Sequence, residues 1–162
     1  MQQDEVVVLV LFVVILVVIL LLFRRKSPLG YKRIEYLCTP AEKRFFLLLR
    51  QLLPKDHILF AKVRIADLIL PQNTKDRSRW QSAFNKVACK HLDFVVCDEN
   101  LQILFAIELD DVSHARADRM QRDRFVEWAC KSAGLPLIRV KLQKEYDKHA
   151  LKKAIERFCK RD

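Results

Sequence analysis

Glycine is scarce, with two among 162 residues, and the five prolines stand singly. That scarcity excludes collagen-like and low-complexity chains, and no internal repeat is present. The aliphatic and aromatic content excludes disorder. The five cysteines, Cys38, Cys89, Cys97, Cys130 and Cys159, form no CxxC pair and are odd in number. In a reducing compartment they read as small buried hydrophobes, with no disulfide framework and no zinc site expected. Basic side chains are absent before Arg24. All 30 Lys and Arg lie from there on with 18 of the 20 acids, a net +12 in that part. The chain beyond Phe23 is long enough for one domain and too short for two.

The opening of the chain is unlike the rest. Val6 to Phe23 is an unbroken apolar run. At 1.5 Å per residue it covers roughly 27 Å, close to the ~30 Å hydrocarbon core of a bilayer. A cleaved signal peptide would want a basic start and a small-residue cleavage site. Here Asp4 and Glu5 precede the run and Arg24-Arg25-Lys26 follows it. The expectation is therefore an N-terminal transmembrane helix over residues 1–23. A basic juxtamembrane linker (24–36) facing anionic lipid head groups and a domain over 37–162 follow it. With the basic residues after the span, the positive-inside rule predicts a single-pass protein of the inner (cytoplasmic) membrane, its C-terminal domain cytoplasmic.

Beyond the linker the pattern is α/β. Thr39-Pro40-Ala41-Glu42 opens a helix as N-cap, N1 proline and N3 glutamate, and Pro54 ends it. His57–Leu70 is apolar and β-rich and holds one strand. Pro71–Gln81 is polar and reads as a loop carrying Arg77, Arg79 and Trp80. His91–Cys97 and Ile103–Leu109 alternate as strands. Asp118–Ala133 is helical and closed by Gly134, Leu137–Val140 is a short strand, and Lys144–Lys160 is a last helix. The order α-β-β-β-α-β-α argues for one sheet flanked by helices. His57 and His149 read as surface residues.

The central hairpin gathers the acids. Leu92, Phe94 and Val96 fall on one face, and His91, Asp93 and Val95 on the other. A four-residue loop, Glu99–Gln102, buries the apolar faces of both strands together and sets Asp93 opposite Glu108 and His91 opposite Asp110; a two-residue loop keeps the same faces and makes Asp93 and Glu108 diagonal neighbours. Two carboxylates ~4 Å apart at an effective dielectric of ~20 repel by about 4 kcal/mol, so the set needs a cation, a shared proton or a basic neighbour. Oxygen donors on one face suit Mg²⁺ or Mn²⁺. The alternative is a solvated polar face.

Several segments carry a resemblance: Thr39–Glu42, Lys90-His91-Leu92-Asp93-Phe94-Val95, Ala106-Ile107-Glu108-Leu109-Asp110-Asp111-x-x-His114, Asp118-x3-Arg122-Asp123 and Gly134–Val140. Together they resemble the bacterial family called domain of unknown function 2726. That family is placed in the PD-(D/E)xK nuclease superfamily, near very-short-patch-repair-like endonucleases. The resemblance implies a restriction-endonuclease-like core (α-β-β-β-α-β) with a C-terminal helix and a metal-dependent DNA phosphodiesterase site. It implies Asp93 and Glu108 as metal ligands, Glu42 as the acid of the first helix, and His114 as general acid or base. Asp110 stands where the superfamily has lysine and becomes a further ligand. Arg122 faces the site, and Arg77, Arg79 and Lys90 are expected to contact substrate. The basic domain suits DNA, although anionic lipid attracts the same charge. A catalytically inactive nucleic-acid-binding or regulatory module of the same fold is the alternative, and a scaffold with a merely solvated acidic cluster is a third.

Overall fold

The computed structural model describes residues 3–22, 29–110 and 117–159, with side chains described except at 20–22 and 117–123. The chain divides into two units, Met1–Ile34 and Glu35–Asp162.

The first unit holds helix α1, Gln3–Leu22. Among the described residues no helix is long and apolar enough to cross a membrane. The expected transmembrane helix over 1–23, and with it the single-pass inner-membrane location, is therefore corrected. The apolar run reaches its full length only by counting residues 20–23, whose side chains lie outside the described ones. The described helix begins with Gln3-Asp4-Glu5, and its described apolar side chains, Val6 to Ile19, cover only roughly 21 Å, short of the ~30 Å core.

The second unit is a four-stranded sheet between helices. Its elements are α2 (Pro40–Leu52), β1 (Ile58–Arg64), a 3-10 turn (Ile65–Asp67), α3 (Arg77–Ala88), β2 (His91–Cys97), β3 (Ile103–Asp110), α4 (Ala117–Ser132), β4 (Leu137–Lys141) and α5 (Lys148–Cys159). The strands lie in the order β1-β2-β3-β4, the first two pairings antiparallel and β3–β4 parallel. A parallel pair needs a crossover, which α4 supplies. Gly134, at φ 70°, ends that helix, and Leu135 N–H returns to the Cys130 carbonyl at 2.9 Å.

Two apolar clusters cover the two faces of the sheet. Phe45 and Leu49 of α2 and Leu151 and Ile155 of α5 pack with Phe94, Val96, Phe105 and Ile107. Val87 of α3 and Val126 and Cys130 of α4 pack with Ile65, Val95 and Ala106. Helix α3 occupies part of the segment expected to be a loop. Asp76 caps its N-terminus by accepting from Arg79 N–H at 2.9 Å, and Trp80 stacks on Phe84 one turn on at 5.2 Å between centroids. An expected loop ending at Gln81 cuts that Trp80–Phe84–Val87 stripe in two, which hides the helix.

The strands carry an irregularity that positions the site. Leu59 and Ala61 join the α2–α5 cluster, but Val63 joins the other; Phe94 and Val96 join the first, but Leu92 joins the second. Residues two apart in a regular strand share a face, so β1 and β2 both change faces at one level. The level is Lys62, whose φ is 57°, and Asp93 across from it, between the pairs Ala61↔Phe94 and Val63↔Leu92. This corrects the expectation that Leu92 shares a face with Phe94 and Val96. The β2–β3 register runs Phe94↔Ile107, Val95↔Ala106, Val96↔Phe105, which sets Asp93 against Glu108 as the four-residue loop required. A bulge at Cys97 then shifts the pairing to Ile103.

Candidate functional site

The site begins at a helix cap. Thr39 Oγ1 accepts from Glu42 N–H at 3.3 Å, and Thr39 N–H donates to Glu42 Oε2 at 2.9 Å, closing a capping box. Glu42 uses its other oxygen elsewhere: Oε1 accepts from Lys62 Nζ at 2.7 Å. Lys62 Nζ also donates to Asp93 Oδ1 at 2.8 Å, and Asp93 Oδ2 accepts from Leu109 N–H at 3.0 Å. One ammonium thus bridges α2 and β2. All three side chains are recessed, at 17% (Glu42), 29% (Lys62) and 15% (Asp93) exposure.

Glu108 completes the group, with its carboxyl hydrogen-bonded to that of Asp93. Burial, then the hydrogen bond to and charge of Asp93, push Glu108 up to about 8. Burial also opposes the charge on Asp93, but hydrogen bonds from Lys62, Leu109 N–H and Glu108 outweigh it and hold Asp93 below its usual range. Burial likewise opposes the Lys62 charge; the bonds to Asp93 and Glu42 overcome it and raise the ammonium above the usual lysine range. The surroundings thus favour the charged forms of Lys62 and Asp93 and the protonated form of Glu108. The basic neighbour expected of crowded carboxylates is present in Lys62.

Asp110 is held apart from this group. Arg139 of β4 reaches it with two donors, Nε at 2.9 Å to Oδ2 and Nη2 to Oδ1. The parallel register puts Arg139 level with Glu108, and its charge opposes the rise of the Glu108 pKa. Cys130 of α4 lies within the field of Glu108, and its thiol is pushed up to about 11, chiefly by burial.

The sequence-expected residues divide accordingly. Glu42, Asp93 and Glu108 come together, and Asp110 is taken up by Arg139. Lys90 lies over the Phe125 ring at 5.9 Å from its centroid. Arg77 and Arg79 are exposed in the first turn of α3. Arg122 belongs to α4, with its side chain outside the described ones, and His114 lies outside the described residues. Among the described residues no group of three or more His, Cys, Asp or Glu is placed to hold a metal ion. His57, read from sequence as a surface residue, has a side chain only 8% exposed; its Nδ1 meets Asp56 at 3.0 Å.

Sequence reasoning missed Lys62 and Arg139. Each is the lone charge inside an apolar strand segment, Ile-Leu-Phe-Ala-Lys-Val and Leu-Ile-Arg-Val. A long cation at such a position needs a buried partner, and that was the available signal.

Fold and site together define a small mixed α/β domain whose central strands present a pair of carboxylates to a recessed lysine. Residues 34–158 match the family described as a protein of unknown function (DUF2726), and the chain belongs to that family. No curated protein and no solved structure matches it.

Proposed function

We propose that the domain is a PD-(D/E)xK-type nuclease with a restriction-endonuclease-like core, hydrolysing DNA phosphodiester bonds with Mg²⁺ or Mn²⁺. The observation that supports this reading is the Asp93–Glu108 pair, opposed across β2 and β3, with Lys62 on its flank. Two oxygen-donor side chains are enough for Mg²⁺, which keeps several waters and takes its remaining ligands from substrate phosphate. Asp93 and Glu108 are the residues that would hold the cation, with the Glu108 proton given up as it binds. The cation supplies a water of lowered pKa and neutralises charge growing on the phosphate.

The other residues take roles their contacts support. Lys62 provides the ammonium that Asp110 cannot, on the opposite side of Asp93 from the expected position, and it meets negative charge developing beside the pair. Glu42 orients Lys62 and is itself fixed by the cap. Arg139 neutralises Asp110, removing a repulsive charge from the approach of a phosphate. Arg77, Arg79 and Lys90 supply cations for the nucleic-acid backbone.

The test uses the full chain, supercoiled plasmid and Mg²⁺ or Mn²⁺. Metal-dependent nicking is expected, lost in Glu108→Gln and in Lys62→Met. No cleavage with either cation, or cleavage that both variants retain, overturns the proposal. A second reading, a nucleic-acid-binding module without catalysis, is favoured by Lys62 already neutralising Asp93 without a cation. DNA retention with no cleavage supports it.

A further inference from the structure

Helix α3 presents a face of which the proposed function uses only Arg77 and Arg79. Its residues, Arg-Ser-Arg-Trp-Gln-Ser-Ala-Phe-Asn-Lys-Val-Ala, include no acid. Trp80, Ala83, Phe84, Val87 and Ala88 are wholly or partly buried, with Phe84, Val87 and Ala88 packing in the α3–α4 cluster. The remaining residues are exposed, and their angular order is informative. At 3.6 residues per turn, Gln81, Asn85, Ser78 and Ser82 occupy the centre of the exposed face, within roughly 100° of arc. Arg77 borders this strip on one side, and Lys86 with Arg79 on the other. Two amides and two hydroxyls thus form a stripe flanked by cations on both edges. Gln81 Nε2 donates to Asn85 Oδ1 at 2.8 Å, so the two exposed amides are held together.

From this arrangement we infer that α3 enters the major groove of duplex DNA, its central amides and hydroxyls meeting base edges and its flanking cations meeting phosphates. The chemistry matches the groove. Asn and Gln pair with adenine through two bonds, Ser serves as donor or acceptor, and a groove about 12 Å wide admits a helix. The phosphates lie along the two walls of that groove, where Arg77 on one side and Lys86 and Arg79 on the other are placed to meet them. A helix of 12 residues is roughly 18 Å long, enough to cover about five base steps. A polar face solvated for its own sake has no need to exclude acids or to segregate cations to its edges. The inference deepens the proposed function by naming the form of nucleic acid, and it is tested apart from cleavage.

The experiment measures binding of the full chain to a fluorescent 30-base-pair duplex and to the matching single strand, in EDTA, over a range of salt. Arg77→Ala with Lys86→Ala is expected to weaken duplex binding at least tenfold and to lower the salt slope by about two. Gln81→Ala with Asn85→Ala leaves the salt slope unchanged and abolishes preference among duplexes selected from a random pool. Lys148→Ala with Lys153→Ala on α5 serves as the comparison and changes binding less than threefold. Circular dichroism melts of each variant separate binding loss from unfolding. Parent-like binding by both α3 variants overturns the inference, as do equal affinities for single strand and duplex or a larger loss from the α5 pair. Duplex binding that depends on α3 without any cleavage leaves this inference standing and removes the nuclease. Cleavage that ignores α3 does the reverse.

Discussion

Lys62 Nζ donates to Asp93 Oδ1 at 2.8 Å from a backbone position with φ of 57°. A residue with a Cβ in that left-handed conformation costs about 1–2 kcal/mol, and such strain persists only where the surroundings impose it. Here the two ion pairs impose it, at the level where β1 and β2 change faces. Lys62→Met removes the ammonium and leaves Asp93 and Glu42 without their cation, at a cost of about 2 kcal/mol in urea unfolding. Lys62→Gly loses the same pairs but relieves the backbone, and it is expected to be less destabilised by about 1 kcal/mol. Equal losses in the two variants mean the backbone is unstrained. Mn²⁺ is also expected to raise the melting temperature of Lys62→Met more than that of the parent, since the cation no longer competes with the ammonium for Asp93.

The raised pKa of Glu108 makes stability depend on pH with a definite sign. The folded state holds the proton up to about 8, whereas the unfolded carboxyl releases it near 4.5. Between those values the native state binds more protons, so stability is full below the lower value and falls as pH rises through the upper one. Glu108→Gln mimics the protonated acid and does not titrate. The parent is expected to lose on the order of 2 kcal/mol between pH 5 and 9, less than an isolated acid with this shift because Asp93 and Glu108 share one proton. The variant's curve is expected to be flatter over the same range. Parallel curves for parent and Glu108→Gln rule out the shared proton.

Much of this was legible in the sequence, and the reasons are specific. Alternation in His91–Cys97 and Ile103–Leu109 limits the connection to a four- or a two-residue loop, and the register found is the one that sets Asp93 against Glu108. Thr39 and Glu42 three residues apart announced the capping box. Lys62 could not be placed by the same logic. Strand periodicity assumes a constant turn per residue, and a single left-handed residue inverts the faces on either side of it. Asp110 was grouped with the other acids because alternation puts it on their face. Its separation depends on β4, a parallel partner reached through a helix, and no local pattern states which residue of β4 lies beside it. Helix α3 was hidden by polarity: only its thin Trp80–Phe84–Val87 stripe is apolar. The span expected for the opening segment rests on the whole run Val6–Phe23 and its flanking charges, and the described apolar part of α1 is shorter than that run.

Arg139 carries a prediction of its own. Its guanidinium engages both Asp110 oxygens, each side chain being about one-third exposed, and it lies level with Glu108. Arg139→Lys keeps a charge but loses the two-pronged geometry and is expected to cost about 1 kcal/mol. Arg139→Ala leaves Asp110 unpaired and removes the cation that restrains Glu108. The Glu108 carboxyl is then expected to titrate at higher pH, followed by the side-chain carboxyl resonance of labelled glutamate. An unchanged titration in Arg139→Ala shows that Arg139 is electrically remote from the acid pair.

Glu42 serves the cap with one oxygen and Lys62 with the other, and two substitutions separate the roles. Thr39→Ala removes the hydroxyl that accepts from Glu42 N–H, and loss of such a cap typically costs about 1 kcal/mol. It leaves the Glu42–Lys62 contact in place, so cleavage or DNA binding by the folded protein is expected to stay near the parent level. Glu42→Gln keeps an oxygen able to accept from Thr39 N–H and so preserves most of the cap, but it removes the charge facing Lys62. The released ammonium then rests on Asp93 alone. The expected result is near-parent stability in urea with activity reduced at least tenfold. If Thr39→Ala lowers activity as far as Glu42→Gln does, with both proteins folded, Glu42 acts through the helix end and not through Lys62.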